Sequence, residues 1–322
     1  MGIRVDRLYS TSLVILCGSL LALLATLAKL GAAAGVSALQ MAFFTSAGAG
    51  LLLLAVNLRR GSPPPLDRQH VIAYAALGAA SFAFPNVLGF VVAAKLGAGF
   101  ASALSAMTPL FTLAGAAAIG QERLRVTNVI GLLLGCAGAL LLLSTAIKTV
   151  PREIMWLPIA LLVPAAHALG NVLRGLVLSK RPGTSTISGV LLTAALLLAP
   201  GVVLTFQYRS WTPTAVSVLG AAVVVATMFQ VSLFRLQSMA GPVVLSQIGY
   251  VAAVVGVGLM APMIGEQRPA ILWLSIGLIA VGMRLIAPMR AAPPVLRRNQ
   301  PTAPNKELAR RGRRVADDSF LT

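Results

Sequence analysis

Long apolar runs broken by short polar stretches make up almost the whole chain. The runs cover residues 12–32, 37–57, 71–92, 98–119, 126–145, 154–173, 186–206, 213–234, 240–263 and 270–288. Each is close to the roughly 20 apolar residues that an α-helix needs to cross the hydrocarbon core of a bilayer. None alternates apolar and polar residues with a period of two, so the pattern predicts helices rather than the strands of a membrane barrel. The expected fold class is an all-α polytopic membrane protein with ten transmembrane helices. Most connections are short, which makes sequential helices antiparallel neighbours.

One stretch occurs twice at a single ungapped offset of 144 residues. Asn86 falls on Gln230, Ser102 on Ser246, Glu122 on Glu266 and Gly138 on Gly282. Residues 12–145 contain five runs and residues 154–288 contain five more, joined by the polar link 146–153. Five is odd, so the second copy enters the membrane from the opposite side. The expected architecture is therefore two inverted five-helix repeats, 12–145 and 154–288. Duplicated membrane units of this kind place a substrate site at the repeat interface, near the bilayer midplane.

Composition agrees with the pattern. Of 322 residues, 57% are hydrophobic and 11% charged, against about 25% charged in a soluble domain. A net charge of +18 would suggest nucleic acid in a soluble protein, but here the position of the charge matters more. With the N-terminus in the cytoplasm, Arg4, Arg7, Arg59, Arg60, Arg68, Arg123, Arg125, Arg174, Lys180, Arg181 and Arg235 fall on the cytoplasmic side, together with Arg284 and the tail. Lys95, Lys148, Arg152, Arg209 and Arg268 fall on the other. The asymmetry follows the positive-inside rule with both termini cytoplasmic, and nucleic acid is not an expected partner. Residues 289–322, rich in proline and carrying Arg310-Arg311-Gly312-Arg313-Arg314, read as a disordered basic cytoplasmic tail. That tail either lies on anionic lipid or only reinforces topology. No cleavable signal peptide is expected. Cys17 and Cys136 lie inside spans and read as packing residues. The Gly131-x-x-x-Gly135 spacing suits a close helix crossing, and a span this rich in Gly and Ala also produces it by chance.

The segment Ser105-Ala106-Met107-Thr108-Pro109-Leu110-Phe111-Thr112, the turn Gly120-Gln121-Glu122-Arg123-Leu124, and then Gly131 and Gly138 resemble the repeat of EamA-type drug/metabolite transporters. In the second copy, Ser246-Gln247-Ile248-Gly249-Tyr250 and Gly265-Glu266 resemble it again. The resemblance covers about residues 12–288. It implies a carrier of small metabolites, working outward across the cytoplasmic (inner) membrane by alternating access. Lys29 also resembles a lysine frequent in the family's first helix. The chain departs from the family pattern at Thr45, where an Arg is common, and at Ala253, which replaces the helix-9 proline.

Several polar residues stand out within the apolar runs. Lys29 lies near the outer end of helix 1, where it either snorkels to the headgroups or contacts a carboxylate or phosphate in the cavity. His167 and Asn171 share one face of helix 6, with Pro164 one turn before them. That imidazole either meets substrate or bonds a neighbouring helix. Asn86 and Gln230 occupy equivalent places, while Ser102, Ser105 and Thr108 on helix 4 match Ser246, Gln247 and Tyr250 on helix 9 as polar patches. These side chains read as a cavity of mixed polarity or as interhelical hydrogen bonds. Pro109, Glu122 and Glu266 read as structural, the two glutamates as caps of the helices that follow them. Trp156, Trp211 and Trp273 read as interface anchors.

No acid lies within a run, and the histidines are His70 and His167 alone. The clustered acids or histidines of a membrane enzyme are missing, so neither catalysis nor a cofactor or metal is expected. The expected substrate is an amino acid or a related neutral or anionic solute; a multidrug or nucleotide-sugar or lipid-linked carrier of the same fold is the alternative. The expected partners are a small-molecule substrate and the lipid bilayer. Oligomeric state, a homodimer included, is left open.

Overall fold

The computed structural model describes residues 2–120, 125–148, 156–178, 184–205, 212–240, 242–266 and 270–285. The tail from 289, Glu122 and Trp211 lie outside the described residues. The elements are α1 (Gly2–Ala33), α2 (Ala38–Arg59), α3 (Arg68–Leu96), α4 (Ala98–Ala118), α5 (Val126–Lys148), α6 (Leu157–Leu178), α7 (Thr184–Thr205), α8 (Pro213–Met239), α9 (Pro242–Met263) and α10 (Leu272–Leu285). Among the described residues, eight helices are long and apolar enough to span a membrane. The shorter apolar stretches Val126–Leu141 and Leu272–Leu285 belong to α5 and α10. Each apolar run of the sequence is one helix. Exposed Leu, Val, Ile and Met side chains occur on nearly every helix, which suits a surface facing lipid.

The helix starts are written in the sequence. Ser37 caps α2 by accepting from the Gln40 N–H, while the Gln40 side chain accepts from the Ser37 N–H at 2.8 Å, a reciprocal capping box. Asp67 caps α3 by accepting from the Gln69 and His70 N–H groups. Its carboxyl is held below the usual range, chiefly by the side-chain hydrogen bond to His70. Thr212 caps α8 just ahead of Pro213.

Prolines locate three of the irregular turns. A proline has no N–H for the carbonyl four residues back and its ring crowds that carbonyl. A wider turn relieves the crowding, and π-turns occur at Gly78–Ala83 just before Pro85 and at Gly256–Met260 just before Pro262. Pro109 follows a break at Ala106-Met107 in α4. The freed carbonyl of Ser105 points at Gly249 of α9 so closely that a Cβ at Gly249 would overlap it.

Most of the packing scheme maps onto itself when α1–α5 are exchanged with α6–α10, although α1 packs on α3 with no α6·α8 contact of similar extent. The pairs α2·α7, α4·α9 and α5·α10 exchange with themselves; α1·α8 exchanges with α6·α3, α1·α9 with α6·α4, and α2·α8 with α7·α3. The α5·α10 crossing is built from glycine. A Cβ on Gly282 would sit against the Gly131 carbonyl and 2.7 Å from the Gly135 nitrogen, and one on Gly138 would lie 2.8 Å from the Ser275 carbonyl. The Gly131–Gly135 spacing therefore marks a real close approach, of the sort that lets dispersion hold helices together in lipid.

A central cavity and an ion-paired helix cap

The irregular turns of α3 and α4 face a cavity of about 1120 Å³, counting the space at its mouth. Helices of both halves line it: α1 to α4 from the first, and α6 to α9 from the second. Asn86, Ser102, Ser105, Thr108, His167, Asn171, Gln230 and Ser246 all lie on its wall. The rest of the wall is largely apolar, with Phe82, Phe90, Phe229 and several leucines.

Some of these polar groups are already engaged locally. Ser105 donates to the Ala101 carbonyl and Ser246 to the Val243 carbonyl, the usual back-bonding of hydroxyls within a helix. Asn171 donates to the Thr112 hydroxyl at 3.4 Å. The hydroxyls of Ser46 and Ser102 line the cavity, are buried, and have no hydrogen-bond partner among the described residues. Ser81 is a further wall residue and donates to the Gly170 carbonyl.

Three of the residues expected at the cavity lie elsewhere. Lys29 is not on the wall: its Nζ lies 3.5 Å from Glu266 Oε1, and its side chain is 38% exposed. It therefore pairs with an acid near the end of the bundle rather than contacting the cavity. Tyr250 is fully buried away from the cavity between α9 and α5, where its hydroxyl donates to the Leu132 carbonyl at 3.2 Å and contacts Cys136 Sγ at 3.9 Å. Gln247 is buried at the interruption between the two α-helical segments of α9 and is absent from the wall.

Glu266 does cap a helix, though not the one that follows it in sequence. Its carboxylate accepts from the Ala98 and Gly99 N–H groups at 3.0 and 2.9 Å, at the N-terminus of α4 in the other half. Gly265 has φ +83°, and the Glu266 N–H closes the turn onto the Ala261 carbonyl. The chain thus doubles back and aims the side chain at α4. Gly97 (φ +104°) makes room, since a Cβ there would lie 2.9 Å from the carboxylate. Pro109 is buried where the second segment of α4 begins. Trp156 lies under the Lys95 ammonium, 5.6 Å from its ring centroid, and Trp273 is 78% exposed.

Hydropathy places Arg174 on the cytoplasmic side, outside a run ending at 173. The helix instead continues to Leu178, and Arg174 is a buried part of the cavity wall, 6% exposed. Its Nε donates to the Gly170 carbonyl at 3.2 Å and its Nη2 to Asn171 Oδ1 at 2.8 Å. The guanidinium stands 5.4 Å from the Phe82 ring centroid. The signal was in the sequence: 167, 171 and 174 are spaced i, i+4, i+7, so His167, Asn171 and Arg174 form one polar stripe on an otherwise apolar helix. Among the described residues there is no group of three His, Cys, Asp or Glu side chains placed to hold a metal.

None of the curated proteins matches this chain. A solved structure, described only as the crystal structure of a protein, is similar in fold: TM-score 0.64 and 20% identity, over 85% of this chain and 96% of that one. Residues 9–144 match the model of the EamA-like transporter family. That segment holds the first five helices, with the cavity-lining faces of α1 to α4, and over it this multi-pass membrane protein is similar to the EamA-like transporter family, whose members are transporters rather than enzymes.

Proposed function

We propose that this protein exports a small metabolite, an amino acid or a related neutral or anionic solute, by alternating access at the central cavity. The observation that carries the reading is a central cavity shared by the two halves, lined mainly by apolar and uncharged polar side chains and, among the described residues, by no acid. Such a wall suits a small solute with an apolar body and a few hydrogen-bonding groups. It gives a cationic drug no counter-charge. The repeats 12–145 and 154–288 would rock against each other around this site, in the cytoplasmic membrane with both termini inside, as the distribution of Lys and Arg favours.

Untargeted metabolite profiling of cells and medium, with and without the full chain, tests the reading. Export predicts solutes enriched in the medium only when the protein is present. His167→Ala and Asn86→Ala, which remove polar wall groups that have no hydrogen bond to a described residue, should reduce that enrichment several-fold. An unchanged metabolite profile on expression would defeat the proposal.

A further inference from the structure

Arg174 is a buried cation without an anionic partner among the described residues. No Asp or Glu lines the cavity, and no carboxylate forms an ion pair with Arg174 among the described residues. Its two hydrogen bonds use one Nε–H and one Nη–H. A guanidinium has five N–H donors, so three have no partner among the described residues.

Ionised groups are kept inside proteins where they are paired or hydrogen-bonded, and within membranes they mark substrate pathways. The surroundings of Arg174 hold its position without neutralising it. Asn171, fixed in turn by Thr112, accepts from one arm of the fork, and the Phe82 ring lies close to the guanidinium. A planar fork with free N–H groups is suited to a carboxylate.

From this we infer that Arg174 is the anchor for the carboxylate of the transported solute, which makes the substrate class an organic monocarboxylate, free or zwitterionic, with its body against the aromatic and aliphatic wall. A single guanidinium among neutral groups balances one negative charge. A phosphate dianion would want a second cation, and Arg174 is the one Lys or Arg on the wall among the described residues. The inference rests on the transport reading above and narrows its substrate.

The test sorts protein-dependent solutes by charge group. Profiles of cells and medium are compared for the full-length wild type, Arg174→Gln and Arg174→Lys, with membrane abundance followed by a fluorescent fusion. The expected result is that wild-type-dependent solutes carry a free carboxylate. Arg174→Gln should lower their transport at least tenfold, leaving any neutral solutes relatively enriched. Arg174→Lys, which keeps the charge and loses the fork, should retain a measurable part of the acid transport. A loss of fold alone would not change the ratio of acidic to neutral solutes. If Arg174→Gln fails to reach the membrane, Arg174→Lys decides the matter, with a several-fold loss confined to acids expected. The inference is overturned if wild-type-dependent solutes lack an acidic group, if phosphate monoesters dominate them, or if the variants move the acids undiminished. A wild type that moves no solute at all defeats the transport reading itself, an outcome distinct from those.

Discussion

A tyrosine hydroxyl inside a membrane span can meet a substrate or bond a neighbouring helix, and at Tyr250 the second use holds. The hydroxyl donates to the Leu132 carbonyl, and the ring fills the groove over Gly135, where an added Cβ would overlap it. Tyr250→Phe keeps the ring and deletes one hydrogen bond, so a loss of about 1 kcal/mol is expected, with transport retained. Gly135→Ala instead drives a methyl into a packed ring and should cost about 1–3 kcal/mol. Thermal unfolding in detergent should therefore rank Gly135→Ala below Tyr250→Phe, and the reverse order would contradict this packing. The glycine was legible from its spacing with Gly131. The direction of Tyr250 was not, because the interruption of α9 at Gln247 alters which side chains face the cavity, and that interruption has no proline to announce it. Arg174 shows the same limit from the other side: its stripe with His167 and Asn171 is readable, but the hydropathy run stops a turn before the helix does.

At the scale of elements, the N-terminus of α4 depends on a residue from the far half of the chain. The first N–H groups of a helix have no partner within it, and here Glu266 supplies two acceptors while Lys29 of α1 balances its charge. One side chain thereby ties α1, the start of α4 and the turn after α9 together. Removing the carboxylate orphans two donors, so Glu266→Ala should cost about 0.5–2 kcal/mol, the range of a lost cap. Lys29→Ala removes only a partly exposed ion pair and should cost about 0–1 kcal/mol. The two effects should fall short of additive in the double variant, since both act on one network. Unfolding midpoints of the three variants check this; full additivity would mean that Lys29 and Glu266 act separately. The sequence assigns Glu266 to the helix that follows it, whereas the carboxylate caps α4, because charge and position suggest a cap without naming the helix that the turn presents to it.

For the whole molecule, what the sequence carried best was periodicity: ten apolar runs became ten helices, and the 144-residue offset became a packing scheme largely preserved on exchanging the halves. Periodicity reports on each helix and on its copy, and it leaves the kinks that shape the cavity to individual prolines and turns. The exchange symmetry has a consequence that cysteine labelling can reach. With five helices per half, equivalent turns must open to opposite faces of the membrane. Arg125 begins the connection into α5, and Ala270 lies one residue from its equivalent ahead of α10; both are exposed. Cys17 and Cys136 are buried, so single introduced cysteines should dominate the signal from a membrane-impermeant maleimide. With both termini inside, Ala33→Cys, in the exposed end of α1, and Ala270→Cys should label on intact cells. Ser62→Cys, between α2 and α3, and Arg125→Cys should label only after permeabilisation. Labelling of Arg125→Cys and Ala270→Cys from the same side would break the inverted arrangement, whatever the substrate, because no odd number of crossings separates two turns on one face. If all four positions simply exchange sides, the inverted architecture stands and only the orientation drawn from the positive-inside asymmetry is wrong. A cavity walled by helices of opposite orientation is what would let one set of side chains face each compartment in turn, so this topology is the condition on which the proposed alternating access at Arg174 depends.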